Sequence, residues 1–251
     1  MDLVEAIRLA KTKGNAPVIG EIKRIIPKLG EETGRARDRR GAGSLAEAYQ
    51  KGGVCGISVV TETRYFGGQP EIDIPAVLRE TDRALLVKDF ILDESMVDFY
   101  ADLVSSLGNH YRRRVALLLT AHWLGDRLPS LLDHVHGKGM LALVETREPE
   151  DLSYAINLKV TPKLIGINNK DIDELERGED RIKLTSEFID SYRRLIPDSL
   201  IISQSAHKGP GDVRSSIGSG ADAVLVGTAF MVSEEPVKTV ASFVNAVGSG
   251  K

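Results

Sequence analysis

The sequence has few of the residues and runs that would link it to disulfides, metals, membranes or nucleic acids. Its 251 residues contain a single cysteine, Cys55, which excludes a disulfide framework and a cluster of thiolate metal ligands. No apolar run approaches the ~20 residues of a transmembrane helix, and the amino terminus lacks the apolar core of a signal peptide. The formal net charge of −3 does not provide the basic face of a nucleic-acid-binding protein. We therefore expect a cytoplasmic protein that has no metal ion and no nucleic-acid or membrane partner.

Short apolar runs alternate along the chain with amphipathic stretches of helical spacing. An apolar run of this length is typical of a strand that is buried on both faces of a parallel sheet. After a short helix over residues 2–13, the predicted strands are Val18–Lys23, Cys55–Val60, Ala84–Val87, Val115–Leu119, Leu141–Val144, Leu164–Ile167, Leu200–Ile202 and Ala223–Val226. The helices predicted to follow these strands are Ser44–Lys51, Glu71–Arg79, Glu94–Leu107, Pro129–Gly137, Glu148–Leu158, Thr185–Leu195, Pro210–Ser219 and Pro236–Val247.

This alternation predicts the α/β fold class and, within it, a closed barrel. Eight strands that are each followed by a helix, in a chain of 251 residues, are typical of a (β/α)8 TIM barrel, here with a short N-terminal helix. An open Rossmann sheet is disfavoured because no Gly-x-Gly-x-x-Gly motif follows a strand. We expect a monomer with one domain over residues 1–251, in which residues 1–16 form the helical extension.

A long loop over residues 28–43 follows the first predicted strand. It is rich in glycine and in charged residues, and it shows no hydrophobic periodicity. In a barrel this loop would lie on the catalytic face. A solvated loop and a mobile lid are equally compatible with its composition.

Charged and amide side chains stand at the carboxyl ends of the predicted strands. In a barrel of parallel strands all these ends open onto one mouth, where catalytic residues lie. The candidates, in chain order, are Glu21, Lys23, Lys88, Glu145, Asn168, Lys170 and Gln204. Burying several such groups among apolar walls costs free energy unless they bind a ligand. We therefore interpret the mouth as a catalytic or binding site.

Small residues end the last two strands. Ser205 and Ala206 follow the seventh strand, and Gly227 and Thr228 follow the eighth. In many barrels these two loops hold a phosphate group through backbone N–H groups. Gly227 allows close approach of the backbone, and the Thr228 hydroxyl can donate a hydrogen bond. This pattern predicts a small phosphorylated molecule as the ligand.

Several blocks of the sequence resemble the indole-3-glycerol phosphate synthase family. They run in order from residue 18 to 231 and comprise Glu21–Arg24, Ile57–Glu62, Tyr65–Gly68, Val87–Ile91, Leu143–Glu145, Gly166–Asp171 and Val226–Met231. The resemblance implies a carbon–carbon lyase of tryptophan biosynthesis. Such an enzyme converts 1-(2-carboxyphenylamino)-1-deoxyribulose 5-phosphate into indole-3-glycerol phosphate, carbon dioxide and water, and it uses no cofactor.

The resemblance also implies a role for each candidate residue. Lys88 would protonate the carbonyl oxygen of the substrate during ring closure, and Lys23 would hold its carboxylate. Glu145 would act in the dehydration, oriented by Glu21 and Asn168. The implied substrate-binding residues are Phe90, Lys170 and Gln204, and the implied phosphate-binding residues are Ser205, Ala206, Gly227 and Thr228.

The chain departs from the family pattern at several of these positions. Gln204 replaces a glutamate and cannot ionise. Ala206 replaces a glycine, so the loop is strained if its backbone needs a positive φ there. Ile26 replaces a serine and Lys170 a common arginine. Two alternatives therefore stay open: another phosphate-binding barrel enzyme, such as an aldolase with Lys88 as Schiff-base nucleophile or an isomerase, and a weakly active or inactive ligand-binding variant of the synthase.

Other conspicuous residues near the strand ends are interpreted as structural. His122 and Trp123 are expected at the surface or in packing, and His207 is expected to lie away from the phosphate. Glu62 and Asp89 are expected to form structural pairs, Asp89 with a neighbouring lysine or arginine.

Overall fold

The computed structural model of the chain describes residues 1–27, 38–156, 161–170, 173 and 183–247. Much of the loop predicted over 28–43 lies outside these ranges, so the choice between a solvated loop and a lid stays a prediction. The expected cytoplasmic location and monomeric state also stay predictions. No helix in the described ranges is long and apolar enough to cross a membrane.

Eight parallel strands in the described residues close into a barrel in chain order, and the last strand pairs with the first. The strands are β1 (Val18–Ile22), β2 (Gly56–Val60), β3 (Ala84–Lys88), β4 (Val115–Thr120), β5 (Leu141–Thr146), β6 (Leu164–Asn168), β7 (Leu200–Gln204) and β8 (Ala223–Val226). The helices are α1 (Leu3–Thr12), α2 (Ala42–Gly52), α3 (Pro70–Glu80), α4 (Glu94–Leu107), α5 (Ala121–Leu124), α6 (Leu128–Gly137), α7 (Ser153–Ile156), α8 (Lys183–Leu195), α9 (Pro210–Gly218), α10 (Thr228–Met231) and α11 (Pro236–Val244). The predicted (β/α)8 TIM barrel and its short N-terminal helix are confirmed.

The helix predicted over Glu148–Leu158 takes a different form in the structure. A 3₁₀ turn over Pro149–Leu152 precedes the single turn of α7, and residues 157 and 158 lie outside the described ranges. The Asp151 carboxylate accepts the backbone N–H of Arg147 at 2.8 Å, so the chain turns tightly as it leaves β5. Short amphipathic spacing alone does not distinguish such a turn from a longer helix.

Helix α1 closes the amino-terminal end of the barrel. It begins at a capping box in which the Asp2 carboxylate accepts the Glu5 backbone N–H at 2.9 Å and the Glu5 carboxylate accepts that of Asp2. Leu3 and Ile7 then join the apolar cluster inside the barrel. A Cβ on Gly56, the first residue of β2, would lie only 2.7 Å from Leu3 Cδ1. The helix therefore packs directly against the strand starts, at the opposite end from the predicted site.

The backbone after β7 is strained. Ser205 and Ala206 both adopt φ of +66°, and neither is a glycine. A side chain in this left-handed region brings Cβ too close to the carbonyl oxygen that follows, at a cost of roughly 1–2 kcal/mol per residue. The strain that the sequence predicts for Ala206 is therefore present, and it falls on the loop expected to hold phosphate.

We expect Ile7→Ala to destabilise the barrel without changing its mouth. Ile7 is fully buried between α1 and the strand starts, so the cavity and the lost apolar contacts should lower the free energy of unfolding by roughly 2–5 kcal/mol. Leu9→Ala is the matched control on the same helix, because Leu9 is 40% exposed. Urea unfolding measures the free energy of unfolding of both variants. Equal losses would show that the buried face of α1 does not stabilise the barrel.

We expect Ala206→Gly to stabilise the protein by about 0.5–1 kcal/mol. Glycine has no Cβ and so avoids the steric cost of the left-handed conformation. Its greater conformational entropy in the unfolded chain offsets part of this gain in stability. Ala48→Gly is the control of opposite sign, because Ala48 lies inside α2 and glycine in a helix costs about 1 kcal/mol. Thermal unfolding measured by circular dichroism distinguishes the two; a lower melting temperature for Ala206→Gly would contradict the assigned strain.

Candidate active site

The side chains of each strand alternate between the barrel interior and the surrounding helices. On β3, Leu85 and Val87 belong to the apolar core between barrel and helices, whereas Leu86 belongs to the core inside the barrel. Lys88 comes two residues after Leu86 and therefore points into the barrel at its carboxyl end. In the same way, interior apolar residues at positions 19, 143, 202 and 225 come two residues before Glu21, Glu145, Gln204 and Gly227.

Two lysines share one carboxylate at this mouth. Glu21 Oε1 lies 3.1 Å from Lys23 Nζ, and Glu21 Oε2 lies 3.1 Å from Lys88 Nζ. All three side chains are at least 90% buried, and the group of three carries one net positive charge. Glu21 and Lys23 thus point to the same side, as the two-residue alternation of side chains along a strand requires. Their link to Lys88 on β3 was not predicted, because it depends on the curvature of the closed sheet.

Gly227 makes room for the central carboxylate. A Cβ at this position would lie 2.5 Å from Glu21 Oε1, which is closer than a carbon atom and an oxygen atom can approach. The sequence predicts that Gly227 allows another group to approach the backbone closely, and in the structure that group is the Glu21 side chain. The expected contact of Gly227 with phosphate stays a prediction.

Gly166 has the corresponding role on β6. A Cβ there would lie 2.0 Å from Gln204 Nε2, so the Gln204 side chain occupies the space beside this glycine. From there Gln204 on β7 reaches across β6 to β5, where its Nε2 donates to Glu145 Oε2 at 3.1 Å. Both side chains are almost fully buried. The amide holds the carboxylate of Glu145 by a hydrogen bond and adds no charge to the pair.

Two buried amide atoms in the mouth have no hydrogen-bond partner among the described residues. They are Asn168 Nδ2 and Gln204 Oε1. The Asn168 Oδ1 atom, in contrast, accepts the backbone N–H of Lys170 at 3.1 Å. Buried polar atoms are normally paired, so a donor and an acceptor at the same mouth indicate a ligand with hydroxyl groups.

Asn169 was not predicted as a functional residue, and the structure shows that it braces the mouth from behind. Its side-chain nitrogen donates to the Gln204 carbonyl oxygen at 2.8 Å and to Ser203 Oγ at 3.0 Å. Its side-chain oxygen accepts from Thr185 Oγ1 at 3.1 Å. These bonds fix the end of β7 relative to β6, and thereby the position of Gln204.

An apolar wall faces the charged groups. One cavity is lined by Lys88, Phe90 and Glu145 together with the apolar side chains of Val60, Phe66 and Leu118. The Phe66 and Phe90 rings lie edge to face, 6.3 Å apart between centroids, and Lys23 Nζ lies 5.6 Å from the centre of the Phe66 ring. The cavity therefore combines an aromatic surface with a cation, as a ring that carries a carboxylate requires.

Two further cavities lie at the carboxyl end of the barrel. The first is lined by Glu145, Asn168 and Lys170, so Glu145 borders it and the aromatic cavity alike. The second is a basic groove between the segments after β1 and β8, where Lys23 and Arg40 are among the lining residues. Arg40 donates to the Met231 and Ser233 carbonyl oxygens and so ties these two segments together.

The four residues predicted to bind phosphate come from neighbouring strands. β7 and β8 pair in parallel, with Gln204 opposite Leu225, so Ser205 and Ala206 stand beside the end of β8. Thr228 opens α10 and is exposed to solvent. The structure thus brings these residues to one corner of the mouth, while their binding role stays a prediction.

The structure corrects the partner expected for Asp89. This carboxylate accepts a hydrogen bond from the Tyr100 hydroxyl and one from the Phe90 backbone N–H at 2.7 Å, where a lysine or arginine was expected. Burial raises the pKa of Asp89. The structural role expected for Glu62 is confirmed, because its carboxylate accepts three backbone N–H groups of the following turn.

His207 lies beneath the strained loop. Its Nε2 lies 3.0 Å from Ser216 Oγ and 3.4 Å from Ser203 Oγ, and burial lowers the pKa of the imidazole to about 4. It therefore supports the loop as a neutral residue. In the described residues no group of three or more His, Cys, Asp or Glu side chains is placed to hold a metal ion.

Comparison with known proteins agrees with this geometry. A family model described as indole-3-glycerol phosphate synthase matches residues 2–243. The chain is 34% identical to the indole-3-glycerol phosphate synthase of Pyrococcus abyssi over 231 residues, which cover 92% of each protein. It is 33% identical to that of Pyrococcus furiosus over 245 residues, which cover 97% of each.

Two solved structures share the fold at low sequence identity. The N-acetylmannosamine-6-phosphate 2-epimerase of Clostridium perfringens has a TM-score of 0.63 at 14% identity, over 91% of this chain and 90% of that one. A structure described as native KDPGal has a TM-score of 0.62 at 14% identity, over 92% and 93%. These two establish the barrel alone, whereas the family match extends over nearly the whole sequence, including every strand end described above. The chain belongs to the indole-3-glycerol phosphate synthase family.

Proposed function

We propose that this protein is a carbon–carbon lyase that closes the indole ring of indole-3-glycerol phosphate. The substrate would be 1-(2-carboxyphenylamino)-1-deoxyribulose 5-phosphate, and carbon dioxide and water would be released. The observation that carries the proposal is the buried Lys23–Glu21–Lys88 chain, which faces an aromatic cavity that also contains Glu145. An acid, an anion-binding cation, a base and an aromatic surface are the groups that this reaction needs.

Lys88 acts as the general acid of the first step. The ring carbon that bears the carboxylate attacks the substrate's carbonyl carbon, and the carbonyl oxygen takes a proton from the Lys88 ammonium. Loss of carbon dioxide returns the electron pair of the broken carbon–carbon bond to the ring, which becomes aromatic again. The Glu21 carboxylate, 3.1 Å from the ammonium, keeps the proton donor oriented before the substrate arrives.

Lys23 holds the substrate's carboxylate until it leaves. Its ammonium lies at the edge of the aromatic wall, 5.6 Å from the centre of the Phe66 ring. In the substrate the carboxylate is attached directly to the ring, so ring and anion would occupy these two places together. The net positive charge of the Lys23–Glu21–Lys88 group favours an anionic substrate.

Glu145 acts in the dehydration. The Gln204 amide donates to this carboxylate at 3.1 Å and so stabilises its ionised form. An ionised carboxylate can take the proton from the carbon next to the nitrogen, while the hydroxyl group takes a proton from a lysine ammonium of the mouth and leaves as water. Asn168 Nδ2 and Gln204 Oε1 would pair with hydroxyl groups of the sugar chain, which supplies both donors and acceptors.

The phosphate would bind at the corner formed by the ends of β7 and β8. Ser205, Ala206, Gly227 and Thr228 supply backbone N–H groups and two hydroxyls there. The groove beside this corner is lined by four cationic side chains and two carboxylates, and this excess of positive charge would attract a dianion.

The aldolase alternative is less well supported by the geometry. A Schiff-base lysine must be neutral to attack a carbonyl carbon. Lys88 instead lies 3.1 Å from a buried carboxylate, which stabilises the ammonium form and suits an acid.

We expect Lys88→Ala to abolish turnover while ligand binding persists. Removal of a general acid typically costs ~10²–10⁴-fold in kcat. Formation of indole-3-glycerol phosphate is followed by its fluorescence, and binding of the substrate by calorimetry. Lys138→Ala is the control, because Lys138 pairs with Asp98 on the outer surface. Full activity of Lys88→Ala would overturn the assignment, whereas a parent that binds without forming product would favour the ligand-binding variant.

We expect Gln204→Glu to move the acidic limb of the kcat–pH profile upward by about one pH unit. The new carboxylate would lie ~3 Å from that of Glu145, and two carboxylates at this distance hold on to one shared proton. The base would then become ionised only at higher pH. Gln204→Met is the control that removes the hydrogen bond without adding charge. An acidic limb that stays in place in Gln204→Glu would mean that Glu145 is not the titrating base.

A further inference from the structure

A third aromatic ring extends the wall of the cavity. The indole of Trp123 lies edge to face on the Phe90 ring, with 4.9 Å between centroids and an angle of 85° between planes. Phe90 in turn contacts Phe66, so three rings form a row along one side of the mouth. The sequence predicted Trp123 as a surface or packing residue, and the structure shows that it packs on a residue of the site itself.

The position of Trp123 follows from the segment that carries it. Helix α5 starts directly after Thr120, the last residue of β4, and Thr120 lines both cavities that contain Glu145. His122, the residue before Trp123, lines the cavity of Asn168 and Lys170. The indole therefore lies beside these cavities, in contact with Phe90, and it is half-buried.

The indole is held in this orientation from its polar edge. Trp123 Nε1 donates to Asp173 Oδ1 at 2.9 Å, and the other oxygen of that carboxylate lies 3.2 Å from Arg147 Nη1. The segments that follow β4, β5 and β6 thus meet at one carboxylate. A half-buried tryptophan fixed at both its ring face and its N–H is preorganised to bind rather than free to rotate.

We propose that Trp123 is a specificity-determining residue whose indole contacts the carboxyphenyl ring of the substrate. This inference rests on the proposed function. A flat ring placed against Phe90 lies within reach of the indole, whose centroid is 4.9 Å from that of Phe90. Aromatic rings attract each other beyond their burial of apolar area, so Trp123 favours an aryl-substituted sugar phosphate over one that has no ring. The phosphate corner beside β8 lies across the barrel from β4, which precedes the Trp123 segment, so a probe without the aromatic ring is not expected to contact the indole.

A single fluorine label tests this contact directly. Trp123 is the chain's one tryptophan, so incorporation of 5-fluorotryptophan gives one ¹⁹F resonance. The aromatic probe is 1-(2-carboxyphenylamino)-1-deoxyribitol 5-phosphate, which is the substrate with its carbonyl reduced, and the matched probe without a ring is ribitol 5-phosphate. We expect the aromatic probe to shift the resonance and the ring-free probe, at saturation, to leave it in place. Equal shifts with both probes, or no shift with the bound aromatic probe, would overturn the proposal.

Kinetics of point variants provide the second test. We expect Trp123→Leu to raise KM about tenfold with kcat changed by less than about threefold, because a ground-state contact is lost. Trp123→Phe keeps a ring and should raise KM by a smaller factor. Tyr111→Leu is the control, because Tyr111 is a half-buried aromatic residue in the 3₁₀ turn before β4, at the far end of the barrel. An unchanged KM in Trp123→Leu would overturn the proposal even when the parent forms product, whereas a parent without product would overturn the proposed function instead.

Discussion

The mouth of this barrel is organised around one buried carboxylate. Glu21 lies between two ammonium groups, 3.1 Å from each, and without it Lys23 and Lys88 would face each other in a cavity with apolar walls. Two ammonium groups close together in such a place repel each other, and the repulsion favours loss of a proton. In the proposed reaction, the carboxylate therefore allows Lys88 to stay a proton donor and Lys23 to stay an anion-binding site. The substrate's carboxylate would then lie beside Lys23, so that anionic and cationic groups alternate from the substrate through Lys23 and Glu21 to Lys88.

Glycines determine which side chains can cross the mouth. Gly227 leaves space for Glu21, and Gly166 leaves space for Gln204, at positions where any Cβ would overlap the neighbouring side chain. Gly227 directly follows β8, which pairs with β1, the strand of Glu21. Gly166 lies on β6, between the strands of Gln204 and Glu145. The network of β1, β3, β5 and β7 side chains thus depends on small residues of β6 and β8.

Much of this arrangement could be predicted from the sequence, since it follows from local periodicity. Their positions directly after apolar runs placed Lys88 and Glu145 at the carboxyl ends of strands, and the number and spacing of these runs gave the closed barrel. Contacts between distant segments could not be predicted in this way. The Trp123 indole reaches Phe90 through a short helix after β4, and its orientation depends on Asp173 from beyond β6. Such contacts leave no periodic pattern in the sequence. A single tryptophan beside a loop was therefore predicted to be a surface or packing residue.

The exchange of glutamate for Gln204 changes the charge of the mouth more than its shape. With a glutamine there, Glu145 accepts a hydrogen bond from a neutral amide, and position 204 adds no carboxylate to the mouth. The mouth thereby carries one negative charge fewer than a glutamate at position 204 would give it, which favours an anionic substrate. The same exchange removes a group that could shuttle protons, so the chain gains anion attraction and loses one proton-transfer partner. Because Gly166 leaves room for the side chain in either form, the choice at position 204 is electrostatic rather than steric.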